Sequence, residues 1–237
     1  MIIDVLTLFP EMFTGVLSSS IIKRAIDKEI VKINIYDFRT FSKNKHKKVD
    51  DTPYGGGAGM ILTLQPVVDC LRSLNYQEAK VILMAPFGKP YNQKKAKELS
   101  DNKHIILICA HYEGIDDRIL NYVDEVISIG DYIITGGELA SMIVIDSVVR
   151  LLPDVISKES IMEESFSDGL LEYPQYTKPE EFEGYKVPEV LISGDHEKIK
   201  LYRHQTALAR TFRYRKDLLV KASLSKQDLE YLEELED

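Results

Sequence analysis

Ser128-Ile129-Gly130-Asp131-Tyr132-Ile133-Ile134-Thr135-Gly136-Gly137-Glu138-Leu139-Ala140 is the stretch on which the reading of the chain turns. The apolar run 123–129 reads as a strand that breaks at Gly130, passes through Tyr132-Ile133-Ile134 and meets two glycines before an apolar helix. Two backbone breaks leave amides and carbonyls unpaired between them. Glycines ahead of a helix let the main chain approach a ligand more closely than a side chain would allow. A tight strand-to-helix turn explains the same residues, so this stretch alone leaves both readings open.

Working outward, the same pattern recurs. Residues 80–85 form a buried strand ending at Pro86-Phe87-Gly88, and residues 105–110 form another ending at His111-Tyr112-Glu113-Gly114. In open α/β sheets, ligands bind in the crevice outside the carboxyl ends of the strands, so three glycine-bearing ends point to one composite cleft. Upstream, residues 2–9 read as a strand, Pro10 opens a helix, and residues 31–36 read as a second strand, giving a parallel α/β unit. Segment 37–51 has little apolar periodicity and is expected to be a mobile loop. Helices are expected over 64–74, 91–100 and 139–152. Beyond 153, proline and glycine punctuation precedes helical spacing over 196–213 and a final helix over 225–235, with Ser225 as cap and Asp228 three residues on.

With 237 residues, 44% hydrophobic and 29% charged, the chain can bury a substantial core and is not disordered by composition. No basic leader opens it and no apolar run has the length of a membrane span, so a cytoplasmic protein is expected. Cys70 and Cys109 sit among apolar neighbours and read as buried thiols; the histidines show no zinc spacing. The net charge of −8 argues against nucleic acid until its distribution is considered. Lys198, Lys200, Arg203, Arg210, Arg213, Arg215, Lys216 and Lys221 are opposed between 198 and 221 only by Asp217, and Lys43, Lys45, Lys47 and Lys48 form a second basic cluster.

The cluster Tyr54-Gly55-Gly56-Gly57-Ala58-Gly59-Met60 lacks the Gly-Lys-Ser/Thr of a P-loop and the spacing of a dinucleotide fingerprint. A cleft of backbone turns and apolar side chains, without a phosphate-binding lysine, suits an uncharged purine or a thioether cofactor better than a polyphosphate. Glu113, Glu138, Glu163, Glu164 and Asp168 are the candidate bases, Arg150 is the nearby cation, and His111 is either a base or a hydrogen-bonded turn residue.

Leu8-Phe9-Pro10-Glu11-Met12-Phe13, Val49 to Met60, Tyr112-Glu113-Gly114-Ile115-Asp116-Asp117-Arg118, the opening stretch, Tyr176-Thr177-Lys178-Pro179 and Ser193-Gly194-Asp195-His196 follow one another in the order of a known family. Through them the chain resembles the bacterial tRNA (guanine-N1)-methyltransferases, the TrmD family of the SPOUT class, over nearly its whole length. The resemblance implies an α/β SPOUT methyltransferase fold with a deep trefoil knot, followed by a small helical C-terminal domain. The implied divisions are a catalytic domain over 1–159, a linker over 160–173 and a tRNA-binding domain over 174–237. It further implies a homodimer with active sites at the subunit interface, acting on tRNA with a guanine immediately 3′ of the anticodon.

S-adenosyl-L-methionine is the implied cofactor, held by three loops. Met84, Ala85, Pro86 and Gly88 belong to the first, and Ala110, Tyr112 and Gly114 to the second. The third supplies Ser128, Ile129, Gly130, Tyr132, Ile133 and Ile134, with Gly136, Gly137 and Ala140 after them. Glu164, Arg150 and Glu113 are the implied catalytic residues, and Gly59, Asp168, Arg210, Arg213 and Arg215 the substrate contacts. Glu164 stands where the family's proposed base is an aspartate, Ala110 where glycine is common, and His111 where many members have arginine. Related enzymes use Mg²⁺, which the resemblance carries over beside Glu113, although the local spacing establishes no metal ligands.

Overall fold

Strand β1 (Ile2–Thr7) is an inner strand, second from one edge, of a five-stranded parallel sheet in the computed structural model. The structure describes residues 1–74, 76–157, 164–166 and 169–235. With β2 (Lys32–Asp37), β5 (Lys80–Pro90), β6 (His104–Cys109) and β7 (Glu125–Ser128), the strand order is β2-β1-β6-β5-β7. Two short strands, β3 (Asp50–Asp51) and β4 (Ile61–Leu62), pair antiparallel outside that sheet. Among the described residues the chain divides into two compact units, Met1–Ile156 and Ser157–Asp237.

Both sheet faces are covered, which is why the central strands are apolar at nearly every position rather than at alternate ones. Ile105, Leu107 and Cys109 of β6 pack on one side with Ile3, Val5 and Ile82, against Val144, Ile145 and Val148. Those last three belong to helix α5 (Gly137–Val149), which follows α1 (Thr14–Leu17), α2 (Ser20–Asp27), α3 (Leu64–Ser73) and α4 (Gln93–Ser100). On the other side Ile106 and Ile108 pack with Leu6 and Leu83 against Val67, Val68 and Leu71 of α3. The period of two along β6 thus divides one apolar run between two cores, each fully buried Ile or Leu contributing about 1.5–3 kcal/mol.

Several elements differ from the sequence expectation. Strand β5 continues to Pro90 instead of stopping at Ala85, and its pairing with β7 shifts register between Met84 and Lys89. Helix α5 starts at Gly137, not at Leu139. Segment 37–51 is anchored rather than loose: Phe38 and Val49 are fully buried, and Ser42 Oγ donates to Lys48 O at 2.6 Å. Its two apolar anchors are too far apart in sequence to show a period.

In the second unit a hairpin of β8 (Glu181–Phe182) and β9 (Tyr185–Lys186) precedes α6 (Glu189–Ile192), α7 (His196–Tyr214), α8 (Lys216–Leu219) and α9 (Lys226–Glu234). Leu208, Leu170 and Leu232 form its small core. The expected capping box is present on α9: Asp228 N donates to Ser225 Oγ at 3.2 Å and Ser225 N donates to Asp228 Oδ2 at 2.9 Å. Among the described residues no helix is long and apolar enough to cross a membrane.

Candidate active site

The carboxyl ends of β5, β6 and β7 surround one cleft of about 370 Å³, within the roughly 300–1,000 Å³ of small-molecule sites. Met84, Ala85 and Pro86 form one wall, and the turn Ala110, Tyr112 and Gly114 a second. The third wall is the opening stretch, with Ser128, Ile129, Gly130, Tyr132, Ile133 and Ile134 leading to Gly136, Gly137 and Ala140. Every residue assigned to the cofactor except Gly88 therefore faces one space. A Cβ on Gly88 would lie 2.5 Å from the Ile127 carbonyl carbon, so its missing side chain lets β5 close on β7 rather than admit a ligand.

Why these turns stay open follows from local backbone chemistry. Gly137 N donates to Ala110 O at 2.7 Å, and a Cβ there would lie 2.8 Å from Cys109 Cα. Glycine thus lets the first turn of α5 sit directly on the end of β6. Ser128 Oγ accepts from Gly130 N at 3.2 Å and holds the turn after β7. Tyr112 has φ of 59°, a left-handed conformation that costs a bulky residue of order 1–2 kcal/mol, and its side chain is exposed at the cleft.

Among the described residues no lysine or arginine lines the cleft, and its wall is largely apolar. That suits a purine nucleoside carrying a thioether or sulfonium group better than a polyphosphate, which calls for cationic side chains. Glu113 is the acidic side chain on the wall. Gly59 packs on it, since a Cβ at Gly59 would lie 2.3 Å from Glu113 Cγ, and Glu113 N donates to Met60 O at 3.1 Å. The glycine-rich segment and the cleft thus meet at Glu113, two chain regions that sequence could not connect. Among the described residues no three His, Cys, Asp or Glu side chains gather as a metal centre would require.

Other candidates fall elsewhere. Arg150 follows Val149 at the end of α5 away from Gly137, and 13 helical residues span about 20 Å. Glu138 is buried under the cleft wall instead of projecting into it as a base. His111 and Thr135, which were not assigned to the cofactor, also line the cleft. Burial pushes the Cys109 thiol far up, with the Glu138 charge adding to the effect, so this sulfur is no nucleophile.

In the second unit Glu164 is half-buried; among its neighbours in sequence, Phe166 N donates to Leu170 O at 2.8 Å and Ser165 Oγ accepts from Glu172 N at 2.9 Å. Asp168 and Glu163 lie outside the described residues. Arg210, Arg213 and Arg215 are placed on or just after α7. Arg210 Nη1 donates to Glu172 O at 3.1 Å, Arg213 stacks 5.3 Å from the Tyr214 ring centre, and Arg215 grips Asp217 with two bonds of 2.8 and 2.7 Å.

Comparison with known proteins gives this arrangement a context. The profile of the family described as tRNA (Guanine-1)-methyltransferase TrmD matches residues 1–221. A tRNA (guanine-N(1)-)-methyltransferase of Dictyoglomus turgidum is 51% identical over 234 residues, covering 98% of this chain and 96% of the relative. The enzyme of the same description from Bacillus cereus strain AH820 is 52% identical over 240 residues, covering 99% and 98%.

Proposed function

The chain belongs to the tRNA (guanine-1)-methyltransferase family, and from that premise we propose that it methylates N1 of the guanine immediately 3′ of the tRNA anticodon, using S-adenosylmethionine. The observation that carries the reading is the largely apolar cleft where three parallel strands end, lined by no lysine or arginine among the described residues. Bound there, S-adenosylmethionine would supply an electrophilic methyl group on a sulfonium sulfur. The residues assigned above to its three loops are proposed as its contacts, with backbone amides and carbonyls of the third loop reading the base. A SPOUT trefoil knot of these loops and a cytoplasmic site of action belong to the same reading.

Guanine N1 bears a proton at neutral pH, so the chain must remove it and favour the negative charge spreading toward O6. Glu164 is the proposed base and Arg150 the proposed cation, with Glu113 beside the substrate. Arg150 follows α5 at the end about 20 Å along the helix from Gly137, and it is proposed to serve the cleft of a second copy of the chain. This separation supports a homodimer with shared active sites, as does the exposure of Leu139 and Ile143, one turn apart on α5. Residues 1–159 are proposed as the catalytic domain, 160–173 as linker and 174–237 as the tRNA-binding domain, in which Arg210, Arg213 and Arg215 hold the phosphate backbone and Gly59 and Asp168 contact the target nucleotide. No step is routed through Mg²⁺.

The test is methyl transfer from labelled S-adenosylmethionine to an unmodified tRNA transcript by the purified chain, beside Glu164→Gln. The reading expects transfer by the native chain and a loss of about 10²–10⁴-fold in kcat for the variant, with cofactor affinity kept. Tight tRNA binding with no transfer by the native chain would make it a binding module instead.

A further inference from the structure

Under the cleft wall, three side chains from three elements converge at a place that the proposed reaction leaves without a role. Glu138, in the first turn of α5, is buried, and its Oε1 accepts a hydrogen bond from Thr7 Oγ1 at 2.8 Å. Thr7 ends β1 and also accepts from Phe9 N at 2.9 Å, so the carboxylate is tied to a fixed point 131 residues away in sequence. The other carboxylate oxygen, Oε2, stands 3.6 Å from His111 Nδ1. That nitrogen is buried and has no hydrogen-bond partner among the described residues, while the His111 ring, 20% exposed, lines the cleft. Phe9 and Tyr112 hold the ring at centroid distances of 4.7 and 5.1 Å.

In a neutral imidazole one nitrogen donates and the other accepts, and the group facing one nitrogen decides the role of both. A carboxylate oxygen opposite an Nδ1 lone pair would set acceptor against acceptor in a buried place, where such a conflict is expensive. With the proton on Nδ1 the same pair attracts, and a shift of about half an ångström brings it into hydrogen-bond range. With the Nδ1 edge buried, the exposed part of the ring lies away from that nitrogen.

We propose that Glu138, held by Thr7, is a positioning residue that keeps the proton of His111 on Nδ1, so that Nε2 faces the cleft as a hydrogen-bond acceptor for an amino group on a purine ligand. The tautomer half stands on this geometry; the ligand half rests on the adenosine-containing cofactor proposed above. Glutamine at 138 can still accept from Thr7 through its carbonyl, but it turns an amide donor toward Nδ1. The ring then carries its proton on Nε2 and presents a donor where an acceptor is needed.

The experiment is ¹⁵N NMR of the histidine rings of the full chain at pH 8, with the His111 signals assigned by their loss in His111→Phe. The native chain should show His111 with Nδ1 protonated and Nε2 bare, and Glu138→Gln should exchange the two. Protonated Nε2 in the native chain, or no change in a cooperatively melting Glu138→Gln, overturns the proposal. Calorimetry with S-adenosylmethionine is the second arm: Glu138→Gln and His111→Phe should each weaken binding about tenfold, with the double variant no weaker than His111→Phe. Additive losses would show that Glu138 does not act through His111. Failure of the native chain to bind S-adenosylmethionine would sink the cofactor reading and the ligand half, while the NMR arm would still decide the tautomer.

Discussion

Replacing Gly137 with alanine adds one methyl group at the place where α5 meets the end of β6, and two effects of opposite sign compete there. Alanine is the better helix residue by about 0.5–1 kcal/mol. Against this, the new Cβ would lie 2.8 Å from Cys109 Cα and 3.0 Å from Ala110 N, and relief to the 3.4 Å of ordinary contact requires a retreat of about 0.6 Å. Both neighbours are backbone and cannot rotate away. The cost therefore falls near the upper end of the roughly 1–3 kcal/mol of overpacking, and the 2.7 Å bond from Gly137 N to Ala110 O is strained as well. The clash wins by about 2 kcal/mol. For a chain of this size, that lowers Tm by about 4–8 °C. The same retreat spreads two walls of the cleft, so affinity for S-adenosylmethionine should fall about tenfold. Circular dichroism melts and calorimetry measure the two quantities. A variant that melts at or above the native temperature with unchanged affinity would refute the packing argument.

Three further outcomes follow from the structure. Burial pushes the Asp228 carboxyl up, but hydrogen bonds from Ser225 N, the His204 ring and Ser225 Oγ outweigh it and hold the group below the usual carboxylate range. Its stabilising contribution is then complete above the unfolded value of about 3.9 and is lost as pH falls through the depressed folded value. Denaturation across pH 2–6 should show this acid-side loss in the native chain and a smaller one in Asp228→Asn; equal slopes would contradict the assignment. Cys70, pushed up to about 12 chiefly by burial, and Cys109 should not react with a thiol reagent at pH 8 until the chain unfolds; rapid labelling of the native protein would be the contrary result. Changing Arg213 to glutamine should weaken tRNA binding and lower its salt slope by about one, more than the same change at Arg215, whose guanidinium is already paired with Asp217, and cofactor affinity should not move.

The cleft was legible in the sequence because its walls are continuous stretches: each strand end carries its own glycine or proline signal, and the three needed only a parallel sheet to bring them together. Residues whose place depends on distant partners were not legible. Glu138 looked like any candidate base, and only Thr7, at the other end of the unit, shows that it is buried and tied. Phe38 and Val49 looked like strays in a polar loop until the sheet supplied a surface for them. The extension of β5 past Ala85 was hidden because Pro86 and Gly88 read as strand breakers, whereas a register shift against β7 accommodates both. Arg150 was near the site in sequence, but a helix intervenes and carries it about 20 Å along from Gly137.

Methylation of the guanine next to the anticodon is the chemistry for which the cleft is proposed. Two tRNA transcripts that differ only in carrying guanine or adenine immediately 3′ of the anticodon, incubated with the chain and S-adenosylmethionine and digested for mass spectrometry, test it most directly. 1-Methylguanosine should appear at that nucleotide in the first transcript, and the second should carry no methylation. A methyl group on ribose, or incorporation that does not depend on that guanine, would contradict it.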